Sequence, residues 1–97
     1  MGEKYLASGV HVAMRLWESV QASPSSETER ERDYEMIGFV IAGRAELHVE
    51  GQMVLLEQGS SYMVPRGARH FYRVLEPLTA VEVTSPAYHV HGRDKPV

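Results

Sequence analysis

Residues 59–70, GSSYMVPRGARH, decide the fold class of this chain. Gly59 and Gly67 permit the positive φ angles of tight turns, and Pro65 presets the corner that enters the second turn. A short strand is predicted at residues 62–64 between the turns, and a further strand from His70. The stretch therefore predicts short β-strands joined by tight turns.

Apolar residues continue at every second position on both sides of this stretch. We predict strands at residues 34–42, 45–49, 53–56, 62–64, 70–75 and 79–84, with a tight hairpin at Gly51 and a break at Glu76-Pro77. No segment has the pattern of an amphipathic helix. Six to nine short strands predict an all-β sandwich or small closed barrel.

The remaining segments give one N-terminal strand, one loop and one tail. Residues 10–17 alternate apolar and other side chains, which predicts a strand with one face on a core. Residues 19–33 have loop composition followed by a charge run, and residues 87–97 are predicted to be a surface tail that contains His89 and His91. We expect one domain over residues 1–97, with its core in residues 34–86.

Composition excludes several functional classes. The chain has 97 residues, no cysteine and a formal net charge of −3. The absence of cysteine excludes disulfides, thiolate metal sites and cysteine nucleophiles. An acidic balance does not favour nucleic acid or anionic membrane surfaces as partners. No signal sequence or apolar span is visible, so we expect a cytoplasmic protein.

The spacing Gly59-x5-Pro65-x-Gly67-x2-His70 resembles the second motif of the cupin superfamily, specifically its small single-domain cupin_2 conserved-barrel type. The resemblance covers about residues 34–86. It implies a β-barrel of the double-stranded β-helix, or jelly-roll, type. It also implies that His70 points into the barrel, because cupins use a histidine at that place as a metal ligand.

The first cupin motif is degraded in this chain. The family spacing places Met36 where a glutamate is expected, Glu35 lies one residue too early, and no histidine lies between His11 and His48. A one-residue bulge at Gly38 would return Glu35 to the inner face, beside His70. With Glu31 or Glu29 as a further ligand, such a site would suit iron, manganese, nickel or zinc.

Two functions from different classes follow. The first, which the incomplete metal motif favours, is a binding module that holds a small molecule in the barrel mouth around His70. Its predicted pocket residues are His70, Tyr72, Val74, Met36, Phe39, Tyr62 and Met63. The alternative is a metal-dependent enzyme of dioxygenase, isomerase or lyase type that uses His70, Glu35 and Glu31.

Self-association is also expected, because a short chain must protect its strand edges. The N-terminal strand and the tail are both predicted to be available for pairing with a partner's sheet. We therefore expect a homodimer, which is the usual cupin arrangement.

Overall fold

A computed structural model of the protein describes residues 2–22 and 31–86, and within these ranges the chain consists of strands, turns and loops without a helix. The six strands are β1 (Gly2–Ser8), β2 (Ala13–Val20), β3 (Glu35–Val49), β4 (Gln52–Leu56), β5 (Ser61–Val64) and β6 (His70–Ser85). All pair antiparallel in the order β1-β2-β6-β3-β4, with β5 also on β3. The all-β prediction is confirmed.

The long pair β3 and β6 forms the centre of the sheet. Its ladder runs from Glu35 beside Ser85 to Val49 beside His70. The prediction of separate strands at residues 34–42 and 45–49, and at 70–75 and 79–84, was therefore wrong. Register shifts between Val40 and Ala45 bend β3 without ending it, because bulges turn a strand while its pairing continues.

Glycine makes this bend possible. Gly43 has a φ of 92°, and a side chain on it would overlap the carbonyl group of Pro77 on β6. The predicted turns at Gly59 and Gly67 are confirmed, with φ angles of 88° and 80°. The hairpin at Gly51 is confirmed as well, since Val49 and Gln52 pair on either side of it.

The N-terminal strand differs from its prediction in position and in the face that it buries. It begins at Ala13 rather than at residue 10, and its buried side chains are Ala13 and Arg15. The apolar Val10 is 81% exposed, and Met14 is also exposed. The apolar side chains of an alternating strand usually face the core. In β2 the opposite face is buried, because Arg15 on that face forms an ion pair with Glu82 inside the barrel.

β2 also has no free edge, because β1 pairs with one side of it and β6 with the other. The expectation that β2 extends a partner's sheet is thus overturned, and β1, which the alternation did not predict, forms this edge of the sheet.

The expected tail at residues 87–97 lies outside the described residues. No helix in the described part of the chain is long and apolar enough to span a membrane.

The hydrophobic core is formed by the side chains on the inner face of the bent sheet. Among the described side chains, its buried members come from every strand except β1, from the residue before β3 and from the turn before β6. They are Ala13, Tyr34, Met36, Val40, Ala45, Leu47, Leu56, Tyr62, Val64, Ala68, Val74 and Leu78.

Candidate ligand-binding site

A cavity of about 70 Å³ opens on the inner face of the sheet. This volume exceeds the roughly 15 Å³ that one water molecule needs and is small beside a drug-sized pocket. Strands β2, β5 and β6 supply most of its wall. The lining residues are Trp17, Val20, Tyr62, Tyr72, Val74, Leu78 and Glu82.

Glu82 forms the polar end of this cavity. It lies on the inner face of β6, is 1% exposed, and is the direct cross-strand partner of Arg15 on β2. Arg15 Nε and Nη2 lie 2.9 and 2.8 Å from Glu82 Oε1. The guanidinium also stacks on Trp17, with Cζ 4.9 Å from the ring centroid, and Nη2 lies 3.6 Å from Met36 Sδ. Both charges are therefore buried and paired.

Two tyrosine hydroxyls converge on the other oxygen of Glu82. Tyr62 donates to Oε2 at 2.6 Å and Tyr72 at 3.1 Å. The two rings meet edge to face, with centroids 6.2 Å apart. Glu82 thus accepts hydrogen bonds from three strands, which matches the rule that a buried carboxylate needs several partners.

The sheet register explains how Tyr62 reaches Glu82. Gly38 on β3 pairs with Glu82 on one side and with Tyr62 on the other. Gly38 has no side chain, and a Cβ at this position would overlap the Tyr62 ring. The ring therefore passes over Gly38, and Arg15, Glu82, Gly38 and Tyr62 form one row across four strands.

This network sets the protonation state of its members. Burial raises the pKa of Glu82, but the charge of Arg15 and hydrogen bonds from Trp17, Tyr62 and Arg15 outweigh it, so the pKa lies below its ordinary value of 4.5. Burial and the neighbouring Glu82 charge raise the pKa of Tyr62 and of Tyr72 well above 10.0. At neutral pH the network holds one carboxylate, one guanidinium and two neutral phenols.

His70 is buried, as predicted, but it lies beside the cavity rather than on its wall. Its Nδ1 lies 3.1 Å from the carbonyl oxygen of Ala68, which accepts the hydrogen bond. Its ring meets the Tyr72 ring edge to face at 5.8 Å. His70 therefore packs behind Tyr72 and contacts the cavity through that ring.

The three predicted metal ligands are not brought together. Glu35 is exposed at one end of the β3–β6 ladder, and His70 is buried at the other end. Glu31 is exposed and pairs with Arg69 at 3.3 Å. Within residues 2–22 and 31–86, no three histidine or carboxylate side chains are grouped as a metal site would require. These residues do not fit a shared metal ion.

The bulge at Gly38 that would have turned Glu35 inward is not present. Pairing with β6 is regular from Glu35 to Val40, so Glu35 faces away from the core that contains Val40. The glycine at position 38 makes room for Tyr62 instead. Glu29, the other carboxylate considered, lies outside the described residues.

The predicted pocket residues divide into three groups. Tyr62, Tyr72 and Val74 line the cavity. Met36 is buried against Arg15. Phe39 and Met63 are 50% and 53% exposed, because both lie on the outward phase of their strands.

A second, wider cleft of about 520 Å³ is lined by residues of β3, β4, β5 and the adjoining turns. Met63 and Tyr62 both contribute to its wall, together with Leu47, Val49 and Pro65. Tyr62 therefore borders both cavities.

Trp17, Arg15 and Glu82 were missed as site residues at the level of sequence. The available signal was the placement of opposite charges inside two apolar strands, in AMRLW and AVEVT. A charged residue within an apolar strand indicates one of two arrangements: its side chain points outward to solvent, or it is buried together with an oppositely charged side chain. Only the fold shows that these two charges face each other, 67 positions apart.

The chain belongs to the cupin family, because the Cupin_2 family, described as a cupin domain, matches residues 16–84. The matched region contains the β3–β6 ladder except Ser85, and it contains all seven residues that line the cavity. Among curated proteins, an uncharacterized protein of Aquifex aeolicus (strain VF5) is 33% identical over 63 residues. The match covers 64% of this chain and 50% of that protein, so the chain spans about half the length of this relative.

Solved structures confirm the cupin jelly-roll fold. KdgF from Halomonas sp. superposes with a TM-score of 0.76 at 22% identity, covering 87% of this chain and 76% of that one. An RmlC-like cupin from Shewanella frigidimarina NCIMB 400 gives a TM-score of 0.79 at 16% identity, with coverages of 90% and 77%. The EutQ protein of Clostridium difficile gives 0.69 at 20% identity, with coverages of 88% and 61%. At these identities the likeness concerns the fold alone.

Proposed function

We propose that this cupin binds a small organic molecule in the cavity between Trp17 and Glu82. The observation that supports the proposal is the combination of an apolar wall with polar groups at one end only. Such a cavity orients a ligand, because the apolar wall gives affinity and the few polar groups fix direction. The ligand site is centred on Tyr62, Tyr72 and Glu82 rather than on His70.

The charge state of the network favours binding over proton transfer. A general acid or base works best when its pKa lies near the working pH. The pKa of Glu82 is lowered, and that of both tyrosines is raised above 10.0. None of the three is poised to exchange a proton near neutral pH.

A blocked cavity tests the proposal. Val74→Phe places a larger side chain in the cavity, and Val10→Phe makes the same change at a position that is 81% exposed. Both variants and the parent protein are screened by thermal shift against a library of small water-soluble compounds. Compounds that stabilise the parent and Val10→Phe but not Val74→Phe support the proposal. An absence of hits, or hits that Val74→Phe retains, contradicts it.

The metal-dependent alternative receives less support, because His70, Glu35 and Glu31 do not converge. Metal analysis of the purified protein and of His70→Ala separates the two functions. Stoichiometric metal that is lost in His70→Ala would favour the metal-dependent enzyme over the binding module.

We also propose that the chain forms a homodimer through one outer face of the sheet. Cross-strand pairing places Met14, Val83 and Ile37 in one row and Leu16, Val81 and Phe39 in the next. These six residues, called the outer apolar face below, lie on three neighbouring strands and include no charged group. Ile37 is 57% exposed and Phe39 is 50% exposed. An uncharged apolar face can pack against the same face of a second copy related by two-fold symmetry. Because each chain carries a formal net charge of −3, contacts between two copies through charged surfaces are less favourable.

A further inference from the structure

The protons of the two cavity tyrosines are already used. A phenol has one proton to donate, and both Tyr62 and Tyr72 direct theirs at Glu82 Oε2, at 2.6 and 3.1 Å. What each hydroxyl has left is an oxygen lone pair. The polar end of the cavity therefore presents hydrogen-bond acceptors to a ligand.

The carboxylate of Glu82 and the guanidinium of Arg15 also form hydrogen bonds within the network. Glu82 Oε1 accepts from Arg15 Nε and Nη2, and Oε2 accepts from both tyrosines. Arg15 also contacts the Trp17 ring and Met36 Sδ. The two opposite charges lie within 3 Å of each other. The charges of Arg15 and Glu82 offset each other, so an anionic ligand would meet no net positive charge in this network and a cationic ligand no net negative charge.

The remainder of the wall is apolar. Val20, Val74 and Leu78 line it together with the indole of Trp17. A ligand group on this side loses its contact with water and gains no hydrogen bond, so hydrocarbon is preferred there.

We infer that the cavity selects a neutral molecule with a compact apolar body and a hydroxyl group that donates a hydrogen bond to Tyr62 or Tyr72. This inference rests on the proposed function and specifies its ligand class. An acceptor-only ligand of the same shape leaves both tyrosine lone pairs without a partner, and burying unpaired polar atoms is costly. The hydroxyl proton thus decides selectivity.

The chain provides its own reporter for a test. It contains one tryptophan, and that residue lines the cavity. Trp17 fluorescence, excited at the red edge of its absorption to avoid the tyrosines, is followed during titration with four six-membered-ring probes that do not absorb there. The probes are cyclohexanol, tetrahydropyran, cyclohexanecarboxylate and cyclohexylammonium.

We expect cyclohexanol to bind most tightly, by a factor of roughly 5 or more over tetrahydropyran. Equal affinity for tetrahydropyran would overturn the donor requirement. Tighter binding of the carboxylate or the ammonium ion would overturn the neutral-ligand requirement. In each of these cases the proposed binding function still stands. If no probe changes the fluorescence and the thermal-shift screen also gives no hit, the function itself fails.

Tyr72→Phe separates the hydroxyl from simple packing. The variant keeps the ring and removes one acceptor, so we expect a two- to tenfold loss of cyclohexanol affinity and little change for tetrahydropyran. Tyr62→Phe is the second variant, and Tyr34→Phe is the matched control, since Tyr34 is buried outside the cavity. Unchanged selectivity for cyclohexanol in both cavity variants would refute a role for the phenol oxygens.

Discussion

The ring of Tyr62 fills the space over Gly38 that the side chain of any other residue would occupy. The two residues are direct partners in the β3–β5 ladder, and Gly38 is also the partner of Glu82 in the β3–β6 ladder. The missing side chain on β3 therefore lets a tyrosine on β5 donate to a carboxylate on β6. One glycine connects strand pairing with the chemistry of the cavity.

Gly38→Ala is expected to destabilise the fold by about 1–3 kcal/mol, the usual cost of overpacking a core. It should also weaken cyclohexanol binding, because Tyr62 must leave Glu82 to avoid the new methyl group. Urea unfolding and Trp17 fluorescence measure the two effects. Gly9→Ala is the matched control, since an added Cβ there meets its nearest neighbour, the Val12 carbonyl oxygen, at 3.4 Å. In a Tyr62→Ala background the cost of Gly38→Ala should shrink, and a cost that does not change would contradict this explanation.

The buried ion pair gives a second prediction. Arg15→Met or Glu82→Leu alone leaves an unpaired buried charge and should cost about 3–5 kcal/mol. The double variant should recover much of this loss, because it removes both charges. Equilibrium unfolding of the four proteins gives the coupling energy.

The exposed pair of Lys4 and Glu18, 2.9 Å apart, is the control for that cycle. Exposed pairs contribute about 0–1 kcal/mol. A coupling energy for Arg15 and Glu82 that is no larger than that of the exposed pair would argue against a buried pair.

Stability should fall in acid, in part because of Glu82. Its pKa is lower in the folded protein than the ordinary value of 4.5, so its contribution is present above pH 4.5 and is lost as pH falls through the folded value. Chemical unfolding as a function of pH measures this loss, and Glu82→Gln should flatten the curve below pH 4.5. Glu18→Gln, at an exposed carboxylate, should flatten it less. Equal flattening by the two variants would contradict the special position of Glu82.

A second loss of stability is expected in alkali. Burial and the charge of Glu82 raise the pKa of Tyr62 and Tyr72 above 10.0, so unfolded tyrosines ionise before folded ones do. The contribution of the two tyrosines to stability is complete below about pH 10 and declines above it. Tyr72→Phe should reduce this decline, and absorbance of tyrosinate during unfolding reports the ionisation. An unchanged alkaline slope would show that Tyr72 ionises equally in both states.

Much of the fold could be predicted from local patterns, because turns depend on a few neighbouring residues. The stretch from Gly59 to His70 predicted both turns, and its resemblance to the cupin motif implied the inward direction of His70. The family assignment is confirmed. The phase of β2 could not be read in the same way. Arg15 faces inward because Glu82 lies beside it on β6. The sequence of β2 alone gives no information about this partner, so the pattern within β2 could not predict which face is buried.

The site was predicted less completely for the same reason. Tyr62, Tyr72 and Val74, three of the residues predicted for a ligand pocket, line the cavity. Trp17 and Glu82 depend on the register between distant strands. The role of Gly38 depends on the Tyr62 ring, which lies over it on the neighbouring strand. The sequence pattern does not show which side chain occupies that space.

The outer apolar face gives the last prediction. Phe39→Asp should convert the proposed homodimer to a monomer, because a buried carboxylate without a partner is costly at an interface. Light scattering at micromolar concentration measures the mass. Met53→Asp is the matched control, since Met53 is also about half exposed, at 52%, but lies on β4, outside the outer apolar face. A monomeric parent protein, or dissociation by both variants alike, would contradict a dimer through this face.

The β3–β6 ladder also has a kinetic consequence. Its pairs join residues separated by 50 positions at Glu35 and Ser85, and by 21 at Val49 and His70. A chain that must close loops of this length before its central strands gain their contacts has a high contact order, which is typical of β-proteins that fold in milliseconds to seconds. We therefore expect closure of the β3–β6 ladder to limit the rate at which the sheet forms.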